Sequence, residues 1–170
     1  MPGAMVDEIH GGNPDAAEGD SLYKRLGGAY AIAGAVDYLI ERLHTNATLN
    51  LNKGVEDFHT DQYKAGYKFM VTAWSIEKSG GPKCYMGRDM FEAHKHLGLS
   101  HYEFDVTAHE IRNTLYQMGV PRQEVTDFMD IIESYRDMVV DPEDAPNAPG
   151  KTTMEKAAEH DKMAAEVHAD

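Results

Sequence analysis

The middle of the chain carries a helical repeat of apolar residues. From about residue 21 to residue 140, apolar side chains recur three and four positions apart, the spacing that places them on one face of an α-helix. Four such stripes are formed by Ile32, Val36, Leu39, Ile40 and Leu43; by Tyr63, Tyr67, Met70, Val71 and Trp74; by Phe104, Ala108, Ile111, Leu115 and Met118; and by Val125, Phe128, Met129, Ile132 and Val139. No segment alternates convincingly with period two. The pattern predicts an all-α domain whose neighbouring helices run antiparallel.

Polar and glycine-rich segments separate these stripes. An Asn- and Thr-rich connection is predicted over 44–54, and Ser79-Gly80-Gly81-Pro82 ends the second stripe. A shorter helix is predicted over about 88–97, with Gly98 in the left-handed position past its end. Ser100-His101-Tyr102-Glu103 is a capping-box sequence, so the third stripe is expected to begin there.

Charge and proline divide the chain into three parts. The sequence holds 29 acidic and 16 basic residues, a net charge of −13, and the acids are concentrated in 1–20 and 141–170. Both ends lack the apolar side chains needed to offset the entropy of ordering, so 1–20 is expected to be a disordered tail and 141–170 a disordered tail or frayed helix. The folded domain is therefore predicted at 21–140.

Composition also limits the partners and the location. The acidic balance argues against binding to nucleic acid or to an anionic lipid surface, and no apolar run approaches the ~18 residues of a membrane span. Cys84 is the only cysteine, which excludes an internal disulfide. The first residues do not resemble a signal peptide, so the cytoplasm is the expected location.

His94 is the strongest candidate for a metal ligand among the nine histidines. On its predicted helix it shares a face with the apolar Met90 and Leu97, whereas His96 faces the polar side. An inward imidazole needs a partner for each nitrogen, and a metal on one side with a carbonyl on the other meets that need. A structural histidine satisfied by hydrogen bonds is the alternative, and position alone favours it.

The second stripe contains two phenols on an apolar face. Tyr63 and Tyr67 share that face with Met70 and Trp74, and each buried hydroxyl requires a hydrogen-bond partner. Either the phenols line a ligand pocket, or their rings pack in the core with the hydroxyls at its wet edge. The residues alone favour the second interpretation, and His59, four positions earlier, is interpreted as a helix-entry residue in water.

Two Glu-x-x-His pairs raise the alternative of a di-metal site. Glu41 with His44 and Glu56 with His59 have the spacing by which helical bundles hold two iron or manganese ions. Such a site needs further inward carboxylates, and the stripes contain none. Solvent-facing positions are the better interpretation of both pairs.

The order and spacing of several short motifs across 21–140 resemble the truncated haemoglobins of group I. These motifs are Ser21-Leu22-Tyr23-Lys24-Arg25-Leu26-Gly27-Gly28, Val36-Asp37, Gly80-Gly81-Pro82, Gly87-Arg88-Asp89-Met90 and Glu92-Ala93-His94-Lys95-His96-Leu97-Gly98. The resemblance implies a shortened globin, in which a two-over-two helical sandwich encloses one haem b. Many members carry a tyrosine where this chain has Ile40, and their Phe-Phe pair before the distal helix is missing here, with Phe58 as a replacement for one ring.

The resemblance assigns expected roles to residues of this chain. It implies that His94 is the proximal iron ligand and that the helix from Tyr63 to Trp74 is the distal one. His59 or a tyrosine remains open as a sixth ligand at rest. The expected haem-contacting set is His94, Tyr63, Tyr67, Met70, Trp74, Met90, Leu97, Phe58, Arg88 and Phe104.

The expected function follows from that resemblance. A haem iron held by a proximal histidine keeps one position for a diatomic ligand, so binding of O2, NO and CO is expected. Detoxification of NO or peroxide chemistry would additionally need a reductase, which the sequence does not identify. The alternatives are a haem-based sensor or interaction module that signals through the acidic tails and, less favoured, a di-metal helical oxidase.

Overall fold

The fold is built from helices, as the hydrophobic periodicity predicts. The computed structural model describes residues 20–144, and within this range every regular element is an α-helix or a 3-10 turn. The α-helices are α1 (Leu22–Arg25), α2 (Gly28–His44), α3 (Lys53–Phe58), α4 (Asp61–Lys78), α5 (Met90–His94), α6 (His101–Gln117), α7 (Arg122–Glu133) and α8 (Arg136–Val139), with 3-10 turns at Leu49–Leu51 and Pro142–Asp144.

The long helices pack in pairs. Helix α2 packs most extensively against α4, while α6 packs against both α2 and α7. The apolar stripes predicted on α2, α6 and α7 contribute to two hydrophobic clusters. One cluster centres on Ile32, Val36 and Ile40 of α2, and the other joins Trp74 of α4 to Val125 of α7. The short α5 lies against α8.

Local signals in the sequence set several helix ends. The Ser100 hydroxyl accepts from the Glu103 N–H (3.1 Å), and the Glu103 carboxylate accepts from the Ser100 N–H (2.8 Å). This reciprocal arrangement is the predicted capping box, and it satisfies two amide donors that the first turn of α6 leaves unpaired. Gly98 has φ +59°, the left-handed conformation predicted for it.

The helix predicted over 88–97 is shorter than expected. Helix α5 begins at Met90, after the Asp89 carboxylate accepts from the Glu92 N–H (2.8 Å), and it ends at His94. Beyond it, the Leu97 N–H bonds to the His94 carbonyl (2.9 Å), and the Leu97 carbonyl accepts from the Asn52 side chain (2.8 Å). This bond from another part of the chain fixes the Leu97 carbonyl in a turn outside the helix.

The last predicted stripe spans a break and is not one continuous helix. Helix α7 ends at Glu133, and Val139 belongs to the separate α8. The Ser134 hydroxyl bonds to the Ile131 carbonyl (2.6 Å), a competing side-chain interaction that favours a helix end. Met118 likewise leaves its predicted stripe, because it follows the end of α6 and is 48 % exposed.

The 44–54 connection contains more structure than its composition predicts. Its asparagines act as local caps: the Asn46 side chain accepts from the Leu49 N–H (3.1 Å), and Asn52 accepts from the Val55 N–H (3.2 Å). These bonds begin the 3-10 turn and α3. The predicted tails, 1–20 and 141–170, lie outside the described residues except at 20 and 141–144. Among the described helices, none has the length and apolar character to cross a membrane.

Candidate functional site

His94 presents one ring nitrogen that is free to bind a metal. It is the last residue of α5, and its Nδ1 lies 2.7 Å from the Met90 carbonyl oxygen. A carbonyl can only accept, so Nδ1 carries the proton and Nε2 carries the lone pair. Burial lowers the pKa of His94, which keeps the imidazole neutral. A neutral imidazole whose second nitrogen donates to a carbonyl is the usual form of a metal-bound histidine.

The segment before α5 is tied to α4. The Glu77 carboxylate accepts from the backbone N–H of Cys84 (3.2 Å) and of Tyr85 (3.1 Å). The Tyr85 hydroxyl then donates to the Arg88 carbonyl (2.5 Å). Through these bonds the end of α4 sets the path of the chain toward His94.

Helix α4 turns part of its predicted stripe inward. Trp74 is buried, and its ring centroid lies 5.4 Å from that of Tyr135. Met70 and Tyr67 are partly buried, whereas Tyr63 remains 45 % exposed. Met70 lies so close to Gly87 that an added Cβ there would collide with its methyl group. Met70 therefore packs against the segment that leads to His94, whereas Tyr67 contacts the rings of His44, Phe58 and His59.

Five rings gather where α2, α3 and α4 meet; this aromatic cluster comprises His44, Phe58, His59, Tyr63 and Tyr67. Phe58 stacks on Tyr63 with centroids 5.5 Å apart and meets Tyr67 edge-on at 5.0 Å. His44 stacks on His59 at 4.6 Å, and both lie just over 6 Å from Tyr67. The cluster brings three predicted site residues, Phe58, Tyr63 and Tyr67, together with the two histidines.

Burial keeps the polar members of this cluster uncharged. It raises the pKa of Tyr67 to about 12, so the phenol is protonated and can donate a hydrogen bond. It lowers the pKa of His44, and burial beside His44 lowers the pKa of His59 to about 4. The Nε2 atom of His44 is buried without a hydrogen-bond partner among the described residues.

The prediction that both histidines of the cluster face water is wrong. Each of them is partly buried. His44 continues the α2 stripe, since it follows Ile40 by four residues, and that spacing is the signal that identifies its inward position. The Asn50 side chain, which accepts from His59, has no such periodic signal because it lies in a 3-10 turn.

The remaining predicted contacts are distributed around α5 and α6. Phe104 is buried beneath the Arg136 guanidinium, whose central carbon is 4.2 Å from the ring centroid. Met90 and Leu97 are partly buried, and they pack against different hydrophobic clusters. Arg88 is exposed. Their contact with a cofactor stays a prediction.

The Glu-x-x-His pairs are engaged in other contacts. The Glu41 carboxylate accepts from Lys64 (3.1 Å) and Lys68 (2.6 Å), and these bonds lower its pKa. Glu56 forms an exposed ion pair with Lys53. Within residues 20–144, no three His, Cys, Asp or Glu side chains are grouped closely enough to hold a metal ion. The described geometry therefore gives the di-metal alternative no support.

The donor set suits haem. A porphyrin iron requires an axial nitrogen, which His94 Nε2 offers, and the flat ring requires aromatic or apolar surface. Such surface is accessible in the aromatic cluster, where Phe58 is 39 % and Tyr63 45 % exposed although both stack on neighbouring rings.

Comparisons with known proteins identify the family of this chain. The sequence profile of the family described as "Bacterial-like globin" matches residues 21–141. A group 1 truncated haemoglobin from Synechocystis is 33 % identical over 111 residues, which cover 63 % of this chain and 85 % of the relative.

Two solved structures show the same fold. The truncated haemoglobin of Tetrahymena pyriformis in its Fe(III) form superposes with a TM-score of 0.63 at 24 % identity, covering 72 % of this chain and 99 % of the other. A 2/2 haemoglobin from a Synechococcus species, in the cyanomet state with covalently attached haem, gives 0.61 at 26 % identity, covering 71 % and 98 %.

The fold is therefore that of a 2/2 haemoglobin, as the sequence predicts. The chain belongs to the bacterial-like globin family and, within it, to the group 1 truncated haemoglobins. Because globins bind haem, this membership confirms the predicted cofactor.

Proposed function

We propose that this protein binds O2, and also NO and CO, at a haem iron held by His94. One observation carries the assignment of the ligand: His94 Nδ1 is occupied by the Met90 carbonyl, which leaves a neutral Nε2 as the donor. Haem, when bound, supplies an iron centre whose remaining position takes a diatomic molecule. The chain itself must then orient the haem, exclude water and contact the gas.

In this proposal, residues on two sides of the haem share these tasks. On one side, α5 and the segment tied to Glu77 hold His94 in a fixed orientation. On the other side, the protonated phenol of Tyr67 would donate toward a bound ligand, while Met70 and Trp74 would supply apolar surface from the same helix. A phenol donor favours O2 in particular, because bound O2 carries partial negative charge.

Turnover is a further step that this proposal does not require. Slow release of O2 would suit reaction with NO or reduction of peroxide, and either reaction needs electrons from a reductase. The proposed role is ligand binding in the cytoplasm, with turnover dependent on that partner.

Replacement of His94 tests the assignment directly. The purified full-length protein should bind haem with a Soret absorption band, and His94→Gly should lose tight haem binding or regain it only with added imidazole. The added imidazole occupies the space of the deleted side chain and supplies the missing nitrogen. Titration with haem, followed by absorption spectroscopy with and without imidazole, measures both effects.

His96→Gly is the matched control. His96 lies two residues further along the chain and is exposed, so its removal should leave the Soret band and haem affinity unchanged. If His94→Gly retained the wild-type spectrum and affinity without imidazole, the proposed ligand would be wrong. A wild-type protein without a Soret band in the presence of haem would overturn the function as a whole.

A further inference from the structure

We propose that Glu77 is a positioning residue for the bond between His94 and the haem iron, although it lies on α4, the helix that carries the predicted distal residues. It acts through the segment 84–89 and not by contact with the cofactor. This inference rests on the proposed function, because the bond to iron exists only in the haem-bound protein. The Glu77 carboxylate controls how firmly His94 is held, a property that haem binding alone does not require.

Helix α5 is too short to set the orientation of His94 by itself. It contains five residues, Met90–His94, and isolated helices shorter than about 12 residues are marginal in water. The bond from His94 Nδ1 to the Met90 carbonyl lies within α5, so it fixes the ring relative to this helix but not to the rest of the molecule. The direction of the ring is therefore decided by the contacts that attach α5 to other elements.

The attachment that precedes α5 begins at Glu77. Its Oε2 atom accepts from the backbone N–H of Cys84 (3.2 Å) and of Tyr85 (3.1 Å). Hydrogen bonds to a charged acceptor are stronger than those between neutral groups, so this carboxylate holds two successive amides against the end of α4. The Cys84 thiol adds a contact with the same helix, since its Sγ lies 3.4 Å from the Ala73 carbonyl oxygen.

Tyr85 carries the attachment onward to α5. Its backbone is held by Glu77, and its side-chain hydroxyl donates to the Arg88 carbonyl (2.5 Å). The Tyr85 ring passes so close to Gly87 that a Cβ added there would lie 2.5 Å from the hydroxyl oxygen. The residue after Arg88 is the N-cap of α5. These hydrogen bonds therefore connect the Glu77 carboxylate to the beginning of the helix that ends at His94.

The same helix carries both sides of the proposed haem site. Tyr67, Met70 and Trp74 lie along α4, and Glu77 lies in its last turn. Because Glu77 joins this helix to the segment before His94, the two sides keep one relative position as long as its hydrogen bonds are intact. Loss of these bonds should leave haem binding possible but allow His94 a wider range of orientations toward the iron.

Resonance Raman spectroscopy of the ferrous, ligand-free, haem-loaded full chain measures the iron–histidine stretching band. In Glu77→Leu this band should shift to lower frequency and broaden, because a less firmly held imidazole binds the iron over a range of orientations. Glu77→Gln should restore the wild-type band, since both N–H groups bond to one oxygen and a glutamine amide also offers one. Asp130→Leu, at an exposed carboxylate of α7, is the control and should leave the band unchanged.

Cys84, the only cysteine of the chain, reports on the attachment without haem. Its thiol is partly buried, and its pKa is raised by burial and by the charge of Glu77. Glu77→Leu should speed the reaction of this thiol with iodoacetamide by about tenfold or more, the factor that a hydrogen bond to a charged group contributes. Glu77→Gln removes the same charge but keeps the acceptor, so a rate near the wild-type value in this variant assigns the effect to the hydrogen bonds.

Tyr85→Phe tests the order of the contacts. It removes the bond to the Arg88 carbonyl but leaves both amide bonds to Glu77. The iron–histidine band should therefore shift, while the Cys84 reaction rate should stay near the wild-type value. This variant retains Glu77, so it tests the proposal even if Glu77→Leu does not fold.

The outcomes are distinct. A band that shifts in Glu77→Leu and returns in Glu77→Gln supports the positioning role. A wild-type band in Glu77→Leu overturns it, and so does an equal shift in both Glu77 variants, which would trace the effect to the lost charge. A wild-type protein without a Soret band in the presence of haem would overturn the proposed function instead, and this is recognised before the Raman measurement.

Discussion

At the scale of single residues, the decisive feature is which nitrogen of an imidazole carries the proton. His94 and His59 both donate from Nδ1 to a fixed oxygen, one from a helix backbone and the other from Asn50. The first arrangement follows from the sequence, because residues i and i−4 on a helix are neighbours. The second does not, because Asn50 and His59 lie in a short turn and at a helix end, where no periodicity relates them.

Tyr67 is the residue whose hydroxyl is expected to control O2 release. In the proposed function Tyr67 donates one hydrogen bond to bound O2, an interaction worth about 1.5–3 kcal/mol, so the O2 dissociation rate of Tyr67→Phe should rise by about tenfold or more. Tyr63→Phe should have a smaller effect, because Tyr63 is more exposed and stacks on Phe58. Displacement of O2 by excess CO, followed by absorption, measures the dissociation rate.

Tyr67→Phe and Tyr63→Phe also serve as controls for each other. Each variant loses one phenol oxygen, at positions four residues apart in the chain. Haem content and the ferrous CO spectrum should match the wild type in both. Equal O2 dissociation rates in the wild type and both variants would remove the tyrosines from the ligand site. A larger effect of Tyr63→Phe would exchange their roles.

At the scale of elements, the sequence predicts what neighbouring residues determine and misses what distant residues determine. The stripes on α2 and α6 and the Ser100–Glu103 capping box depend on local spacing, and the structure has them. The early end of α5 depends on a bond from Asn52 to Leu97, 45 residues apart. No local sequence pattern predicts such a bond. The sequence therefore predicts a longer helix around His94 than the structure has.

The turn after α4 offers a test of how tightly two elements meet. A Cβ added at Gly81 would lie 2.7 Å from both the Ile76 carbonyl oxygen and a Tyr23 ring carbon. Because a backbone atom is involved, the clash cannot be relieved by a side-chain rotation alone. Gly81→Ala should therefore lower the free energy of unfolding by about 1–3 kcal/mol.

Gly66→Ala is the matched control substitution, inside the helix that precedes this turn. An added Cβ at Gly66, inside α4, meets nothing within 4 Å, so the change should raise the free energy of unfolding by about 0.5–1 kcal/mol through the helix preference of alanine. Urea unfolding of the two variants measures the difference. Equal stability of Gly81→Ala and the wild type would show that the turn is less tightly packed than described.

At the scale of the whole molecule, the net charge and the histidines with lowered pKa values lie in different parts of the chain. Residues 21–140 contain 16 acidic and 13 basic residues, so most of the net charge lies toward the chain ends. Ion pairs such as Arg25 with Glu124 (3.0 Å) and Asp127 (2.8 Å) link α1 to α7, but partly exposed pairs contribute little to stability. Among residues 20–144, His44, His59 and His94 have lowered pKa values, and these three groups couple folding to pH near neutrality.

The stability of the haem-free protein should therefore fall as the pH falls below about 6.5. Unfolded histidine has a pKa of 6.5, while His59 in the folded protein has a pKa of about 4, so between these values the unfolded state binds more protons. The free energy of unfolding consequently decreases with falling pH, and His59 contributes up to about 1.4 kcal/mol per pH unit between its two pKa values. The lowered pKa values of His44 and His94 act in the same direction. The lowered pKa values of carboxylates such as Glu41 and Asp127 act at lower pH, because their ordinary values are 4.5 and 3.8.

Urea unfolding between pH 7 and pH 5, followed by fluorescence of the single tryptophan, Trp74, isolates the histidine contribution. In His59→Leu the slope should become shallower, whereas His109→Leu should keep the wild-type slope; a profile that is flat from pH 7 to pH 5 would contradict the burial of all three rings.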